Sequence, residues 1–408
     1  MSALVRGHVA ADALGGAASG RSSLAADPAA PASRPLTALQ LGMTASATRG
    51  GGLDRYFFSL LGALPRFGVA ARGLVVGDAA ALPDVPGVSC FAPEGTGLAR
   101  RWSALRTAVG RALPQSDLVV SHFAPYAFPV LDRVRGRPLV VHFHGPWATE
   151  SAVEGAGRAS VAAKRLLERV VYARGSRFVV LSRAFGTILE RGYGVPAEAI
   201  RIVPGGVDLG RFSALGSRDE ARRALGWPTG RPMVVTVRRL VRAKGLENLI
   251  DAVDALRRRV PDVLVTVVGS GPLAEPLRAR VASLGLERWV RFAGFVPEDR
   301  LAAVYRAADL FVVPTVALEG FGLVVVEALA CGTPVLVTPV AGLPEVVTDL
   351  DPGLVLPGAG PAELAAGMAA ALTGAQRLPN EAACRAYAQR FDWAAIAARV
   401  AAVYREVA

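Results

Sequence analysis

Residues 319–335 read Glu319-Gly-Phe-Gly-Leu-Val-Val-Val-Glu327-Ala-Leu-Ala-Cys-Gly-Thr-Pro-Val335. Two carboxylates flank a Gly-Phe-Gly turn and an apolar run, which predicts a helix over 323–331 and a strand from Pro334 to Val337. Carboxylates accept hydrogen bonds from hydroxyls, and the backbone N–H groups of a glycine-rich turn hold anions. A sugar joined to a nucleoside diphosphate offers both kinds of partner. Glu319 would take sugar hydroxyls, Gly320, Phe321 and Gly322 the diphosphate, and Glu327 the ribose. Taken alone, the two glutamates read more simply as a loop acid and an acid in the first turn of a helix, where it suits the macrodipole.

Outward from this stretch, short runs of buried-strand type alternate with helices. Strands are expected at Met233–Val237, Leu264–Val268, Val290–Phe292 and Leu310–Val313, with helices at about 246–259, 273–284, 298–307 and 361–373. Earlier in the chain, strands are expected at Leu36–Met43, Leu74–Val76, Leu118–Ser121, Leu139–His142 and Phe178–Leu181. Helices at Tyr56–Leu64 and near 100–112 and 158–174 separate some of them. This alternation predicts an α/β protein with parallel sheets covered on both faces. The expected organisation is a disordered tail (1–35), a first Rossmann-like domain (36–205), a second one (206–385) and a C-terminal segment (386–408). Ligands of doubly wound sheets bind at the C-terminal ends of strands, so a cleft should lie between the two domains.

Arg239 and Lys244 follow a strand in Val-Arg-Arg-Leu-Val-Arg-Ala-Lys-Gly. Two cations at a strand end can neutralise a diphosphate leaving group as its charge develops. The chain has many basic loops, but its only lysines are Lys164 and Lys244. Lysine kept among so many arginines favours the functional reading, since the two are not interchangeable. Gly50-Gly51-Gly52 sits between a strand and a helix, where backbone amides suit a phosphate; alone, it is also an ordinary tight turn. His144 and His122 each end a strand, and a neutral imidazole there could bond a sugar hydroxyl or orient an acceptor. Asp349-Leu-Asp351 spells an Asp-x-Asp, yet it stands before Pro352-Gly353 and reads as turn chemistry, so no metal is expected.

Length and composition set the limits. The 408 residues suffice for two α/β domains. Cys90, Cys331 and Cys384 and the four histidines show no disulfide or zinc-like spacing, which suits a reducing cytoplasm. The net charge is +12. It is concentrated early: residues 36–205 hold twenty cationic and eleven anionic side chains. Solvated faces in an arginine-rich chain account for this simply; an anionic acceptor or membrane surface is the alternative. No nucleic-acid-binding module is legible. No apolar run reaches the ~18–20 residues of a membrane span. The first 35 residues lack the apolar block of a signal peptide.

In combination and in order, these segments resemble retaining glycosyltransferases of the GT-B fold, specifically glycosyltransferase family 4. The resemblance runs from about residue 36 to 405. It includes Val203-Pro-Gly-Gly-Val-Asp208, where the family often has Asn in place of Gly205, and Gly342-Leu-Pro-Glu345. It implies a second domain that binds a UDP- or GDP-sugar and a first that binds a hydroxyl acceptor, with a terminal helix crossing back to the first domain. Catalytic roles fall to His144, Glu319, Arg239 and Lys244. Donor contacts fall to Gly51, Gly52, Gly269, Gly271, Val296, Gly320, Phe321, Gly322 and Glu327. His122 and Arg55 are acceptor candidates. No essential cofactor is implied, and no covalent nucleophile stands out. The family usually has glycine before the arginine; here Arg238 either crowds the phosphates or points to solvent. The implied acceptor belongs to cell-envelope polysaccharide, glycolipid or natural-product glycoside synthesis, and a lipid-linked one would bring the protein to the inner membrane face. A sugar-nucleotide epimerase, or a non-catalytic nucleotide-sugar-binding subunit, are the rival readings.

Overall fold

A computed structural model describes residues 34–45, 51–213 and 216–408. The 1–35 tail, but for its last two residues, and Gly50 of the glycine run lie outside the described residues. Two parallel sheets form. The first contains β1 (Leu36–Ala45), β2 (Val69–Gly77), β3 (Val88–Ala92), β4 (Leu118–Ser121), β5 (Leu139–Phe143), β6 (Arg177–Val180) and β7 (Ile200–Ile202). Their spatial order is β3-β2-β1-β4-β5-β6-β7. The second sheet contains β8 (Met233–Val237), β9 (Leu264–Val268), β10 (Val290–Gly294), β11 (Leu310–Val313) and β12 (Val335–Val337), in the order β10-β9-β8-β11-β12.

The apolar runs explain these strands. Every residue of β4, β5, β9, β11 and β12 is buried, the state of a parallel sheet with helices on both faces. Each side chain such as Val235, Val267 or Phe311, removed from water almost completely, contributes roughly 1.5–3 kcal/mol to folding. Two of the five second-sheet strands run slightly differently from expectation, β10 extending to Gly294 and β12 starting at Val335. In the first sheet, β3 and β7 were not expected. Both are edge strands, short and only partly buried, so neither shows a long apolar run.

The strand order reverses beside β1 in the first sheet and beside β8 in the second. Such switch points leave a crevice beyond the strands' C-terminal ends. Gly51, His122 and His144 come after β1, β4 and β5 in the chain; Arg239, Gly269, Val296 and Glu319 follow β8, β9, β10 and β11. Sheet order thus sends these residues towards the two crevices.

The halves are joined twice. Val203–Asp208 runs from the first sheet to the second, and Val207 N–H donates to Phe391 C=O at 2.8 Å. A Cβ on Gly205 would run into the Leu323 and Phe321 side chains, which explains glycine where the resembled family often has the larger Asn. The final helix, Trp393–Arg405, packs back on the first sheet's elements: Tyr404 reaches Gln40 and His142, and Glu406 pairs with Arg177 and Arg201. Asp351 accepts from Gly353 N–H at 2.8 Å and Asp349 pairs with Arg390, so the Asp-x-Asp serves a turn. No helix of the described residues is long and apolar enough to cross a membrane.

Candidate active site between the two sheets

Glu319 stands in the loop after β11, at the centre of a charged cluster. Its Oε2 accepts from Lys244 Nζ at 3.0 Å and from the Arg238 guanidinium, with Thr315 Oγ1 at 3.4 Å. Burial alone would raise its carboxyl, but the charges and hydrogen bonds of Arg238 and Lys244 outweigh this and hold it at about 2. Burial likewise lowers Lys244 despite the pull of Glu319. Arg239 remains exposed beside the cluster. Arg238 neither reaches solvent nor stands free: it is buried and bound to Thr315 and Glu319.

Gly269 and Gly271 lie under this loop. A Cβ at either would collide with the backbone carbonyl of Arg238 or Leu240, so tight strand-end packing demands glycine before any ligand is considered. Phe321 is a core residue, its ring edge-on to Phe391 at 5.5 Å; only its backbone is left for a donor. Gly52 faces the turn across the crevice, an added Cβ lying 3.7 Å from Leu323. Asp54 accepts from Gly51 N–H (3.3 Å) and Thr44 N–H (3.4 Å), and burial pushes its carboxyl up to about 6.

Glu327 is already engaged. Arg55, from the first half, grips it with Nε on Oε1 at 3.1 Å and an Nη on Oε2 at 3.3 Å, and Tyr305 O–H donates to Oε2. Arg55, expected at the acceptor, is therefore bound to the carboxylate expected to hold the ribose. A cavity of about 700 Å³ opens beside this pair, lined by Asp54, Phe295, Pro297, Glu298 and Leu323 among others. It borders Glu327 and flanks Val296, not Lys244, Glu319 or His144. The cavity thus adjoins Glu327 and the segment that holds Val296, both expected donor contacts.

The histidines form a connected network. His122 Nε2 lies 2.9 Å from Gln40 Oε1, which can only accept, so Nε2 carries the proton. His122 Nδ1 then accepts, at 3.1 Å, from His144 Nε2–H, leaving His144 Nδ1 as a lone-pair acceptor. Gln40 Nε2 donates to Tyr404 O at 3.2 Å; Tyr404 O also lies 2.9 Å from His142 Nε2, and Tyr56 O lies 3.1 Å from His142 Nδ1. Burial lowers all three imidazoles and keeps them neutral. His122 is thus no direct acceptor contact: it is buried, and both ring nitrogens are committed. It orients His144 instead. The three rings lie close enough to suggest a metal site, but five of their six nitrogens are spent on hydrogen bonds.

Glu150, in the first turn of the helix Trp147–Val153, was not foreseen. It lies against Gly145 and faces Lys244, Arg239 and Glu319; burial raises its carboxyl while the two cations lower it. Phe185 lies against both Gly145 and Gly320, so His144's loop and Glu319's loop adjoin across the crevice. Two further carboxylates cross between halves. Glu154 accepts from Ala243 and Arg242 N–H (3.2 and 3.4 Å), and Glu345 from Arg183 and Ala184 N–H (2.8 and 2.9 Å).

Two parallel α/β sheets, opposed across a crevice with a terminal helix returning to the first, define the GT-B class. The glycosyl transferases group 1 model matches residues 217–391, and the glycosyltransferase family 4 model matches residues 50–211. A D-inositol 3-phosphate glycosyltransferase 2 from Catenulispora acidiphila is 34% identical over 366 residues, covering 84% of this chain and 83% of the relative. A D-inositol 3-phosphate glycosyltransferase from Segniliparus rotundus is 35% identical over 310 residues, covering 74% and 68%. The structure of Anabaena HepE in complex with UDP-glucose is similar with a TM-score of 0.74 and 25% identity, over 91% of this chain and all of that one. The chain belongs to glycosyltransferase family 4, the glycosyl transferases group 1. It is a glycosyltransferase, moving sugar from a nucleotide-sugar donor to an acceptor.

Proposed function

We propose that the chain is a retaining, metal-independent transferase that uses a UDP- or GDP-sugar, with the second sheet carrying the donor and the first the acceptor hydroxyl. The observation that carries this reading is the Lys244–Glu319 pair, 3.0 Å apart, whose loop adjoins that of His144. Lys244 and Arg239 supply charge for the departing diphosphate, and Glu319 supplies a carboxylate for sugar hydroxyls. The C1–O bond to the diphosphate breaks and the acceptor oxygen bonds C1 on the same face. Its proton passes to the departing phosphate. His144, neutral and with Nδ1 open, accepts a hydrogen bond from a hydroxyl and does not serve as an acid.

The acceptor reading is an anionic or lipid-linked hydroxyl compound of envelope, glycolipid or glycoside synthesis, met at the inner membrane face. Its support is the basic first half. Helices Leu98–Ala112 and Arg158–Tyr172 both pack against the Ala124–Val130 segment, and they expose Leu98, Leu166 and Val170 among their arginines. The relatives named for D-inositol 3-phosphate make a phosphorylated polyol the first acceptor to try.

The test is a thermal-shift panel of UDP-, GDP-, ADP- and TDP-sugars with and without magnesium, since a ligand of the folded state must raise its stability. One nucleotide class should stabilise the protein equally with and without the metal. No shift with any of them contradicts the reading.

A further inference from the structure

Arg238 occupies the position directly after β8 where the resembled family usually carries glycine. It is only 8% exposed, and its Nη2 donates to both Thr315 Oγ1 and Glu319 Oε2. Its Nε is buried without a hydrogen-bond partner, so the side chain is held there by Glu319 rather than by a full set of bonds. Glu319 Oε2 therefore receives two cations at once, Arg238 and Lys244. One carboxylate needs only one counter-charge. Lys244 sits on a flexible stem at the tip of the Arg242–Lys244 turn and is more exposed than Arg238, 16% against 5% by side chain. The strand-end packing that Gly269 makes against the Arg238 backbone fixes Arg238 in place.

We infer that Arg238 is a positioning residue that holds Glu319 ionised and oriented, and so frees Lys244 to leave the carboxylate for the donor's diphosphate. This rests on the donor reading above. Without donor, Lys244 and Arg238 share Glu319. With donor bound, the diphosphate outbids one carboxylate oxygen for the ammonium, and Arg238 alone retains Glu319. A side chain that merely filled space at 238 would have no such dependence on Glu319. In a chain with glycine at this position, leaving Glu319 would strip it of its one cation, and the diphosphate would compete with Glu319 for Lys244.

The test is calorimetric titration of UDP and of GDP into the full chain and its Arg238→Met, Glu319→Gln and Arg238→Met/Glu319→Gln variants, with Arg238→Lys as the charge-keeping control. Arg238→Met should weaken binding of the recognised nucleoside diphosphate by roughly tenfold, the range of a close charge pair. Arg238→Lys should restore most of it. In the Glu319→Gln background the same Arg238→Met change should cost little, because no carboxylate remains to hold Lys244. Should Arg238→Met fail to fold, the double variant removes the buried carboxylate as well, and its comparison with Glu319→Gln still reads the coupling. Equal loss with and without Glu319, or no loss at all, overturns the inference. If the unaltered protein takes up neither nucleotide, the donor reading fails first and this inference with it. If it binds one and Arg238→Met binds it identically, only the inference fails.

Discussion

The two carboxylates of the 319–327 stretch are treated differently by the fold. Glu319 is neutralised from within its own half, by Arg238 and Lys244 on the loop after β8. Glu327 is neutralised from the opposite half, by Arg55. The first arrangement survives any movement of one sheet against the other. The second exists only while the halves are closed on each other. On the proposed donor reading, the sugar end meets a cluster already assembled, whereas the nucleoside end must displace a cross-crevice ion pair. Preorganised charge is what stabilises a developing charge; a displaceable pair suits a binding contact.

The comparison breaks most severely if the Glu319 cluster is altered. Lys244→Ala or Glu319→Ala should lower transfer by on the order of a hundredfold or more, with circular dichroism and the melting transition showing a folded protein. Full activity in both would remove the site assignment.

Next comes the Glu327 side. Arg55→Met leaves a nearly buried carboxylate with Tyr305 as its remaining partner. Denaturant unfolding should show a loss of about 1–3 kcal/mol, the penalty of a buried group left short of its partner. The stabilisation gained on adding the recognised nucleotide should grow, because Glu327 no longer has to release Arg55. A smaller gain would mean that Arg55 itself contacts the ligand.

Gly205→Asn tests the joint between halves. The added atoms meet Leu323 and Phe321, at the foot of the Gly-Phe-Gly turn. Overpacking of this kind costs about 1–3 kcal/mol, readable as a lowered melting temperature, with nucleotide affinity falling alongside it. An unchanged melt would show that the joint gives way freely.

The last expected effects are those of pH on stability. His122, His142 and His144 are lowered in the folded protein, so stability is full above about 6.5 and falls as the unfolded state takes up protons below it. Glu319, lowered to about 2, adds a loss between its ordinary value of 4.5 and about 2. Asp54 has the opposite sign: raised to about 6, it takes a proton in the folded state first and partly offsets the histidines between about 6 and 3.8. Melts at pH 7.5 and 5.5 should show the lower stability at 5.5, and Asp54→Asn should steepen that loss.

Much of the architecture was legible because buried parallel strands announce themselves: Leu118–Ser121, Met233–Val237, Leu264–Val268 and Leu310–Val313 form as read. The edge strands Val88–Ala92 and Ile200–Ile202 are only partly buried and have no continuous apolar run, so the rule that found the others passes over them. Within the site, Lys244 and Glu319 were each legible as residues that follow a strand end, but their direct pairing at 3.0 Å was not. The Arg55–Glu327 pair joins residues 272 positions apart. No local pattern encodes it. The histidines were visible, but not that Gln40, Tyr56 and Tyr404 would absorb His122 and His142, since these partners come from three separate elements. Glu150 had a faint signal: a carboxylate in a short helix opened by Pro146, directly after the His144 strand end.

The central claim is that the Lys244–Glu319 cluster carries a nucleotide-sugar donor. The direct measurement is release of nucleoside diphosphate from UDP- and GDP-sugars, without acceptor, by the full chain and by Lys244→Ala. The account predicts slow release from one nucleotide class and almost none in the variant. Equal release by both proteins, or none from any donor by a folded protein that also binds none, would contradict it.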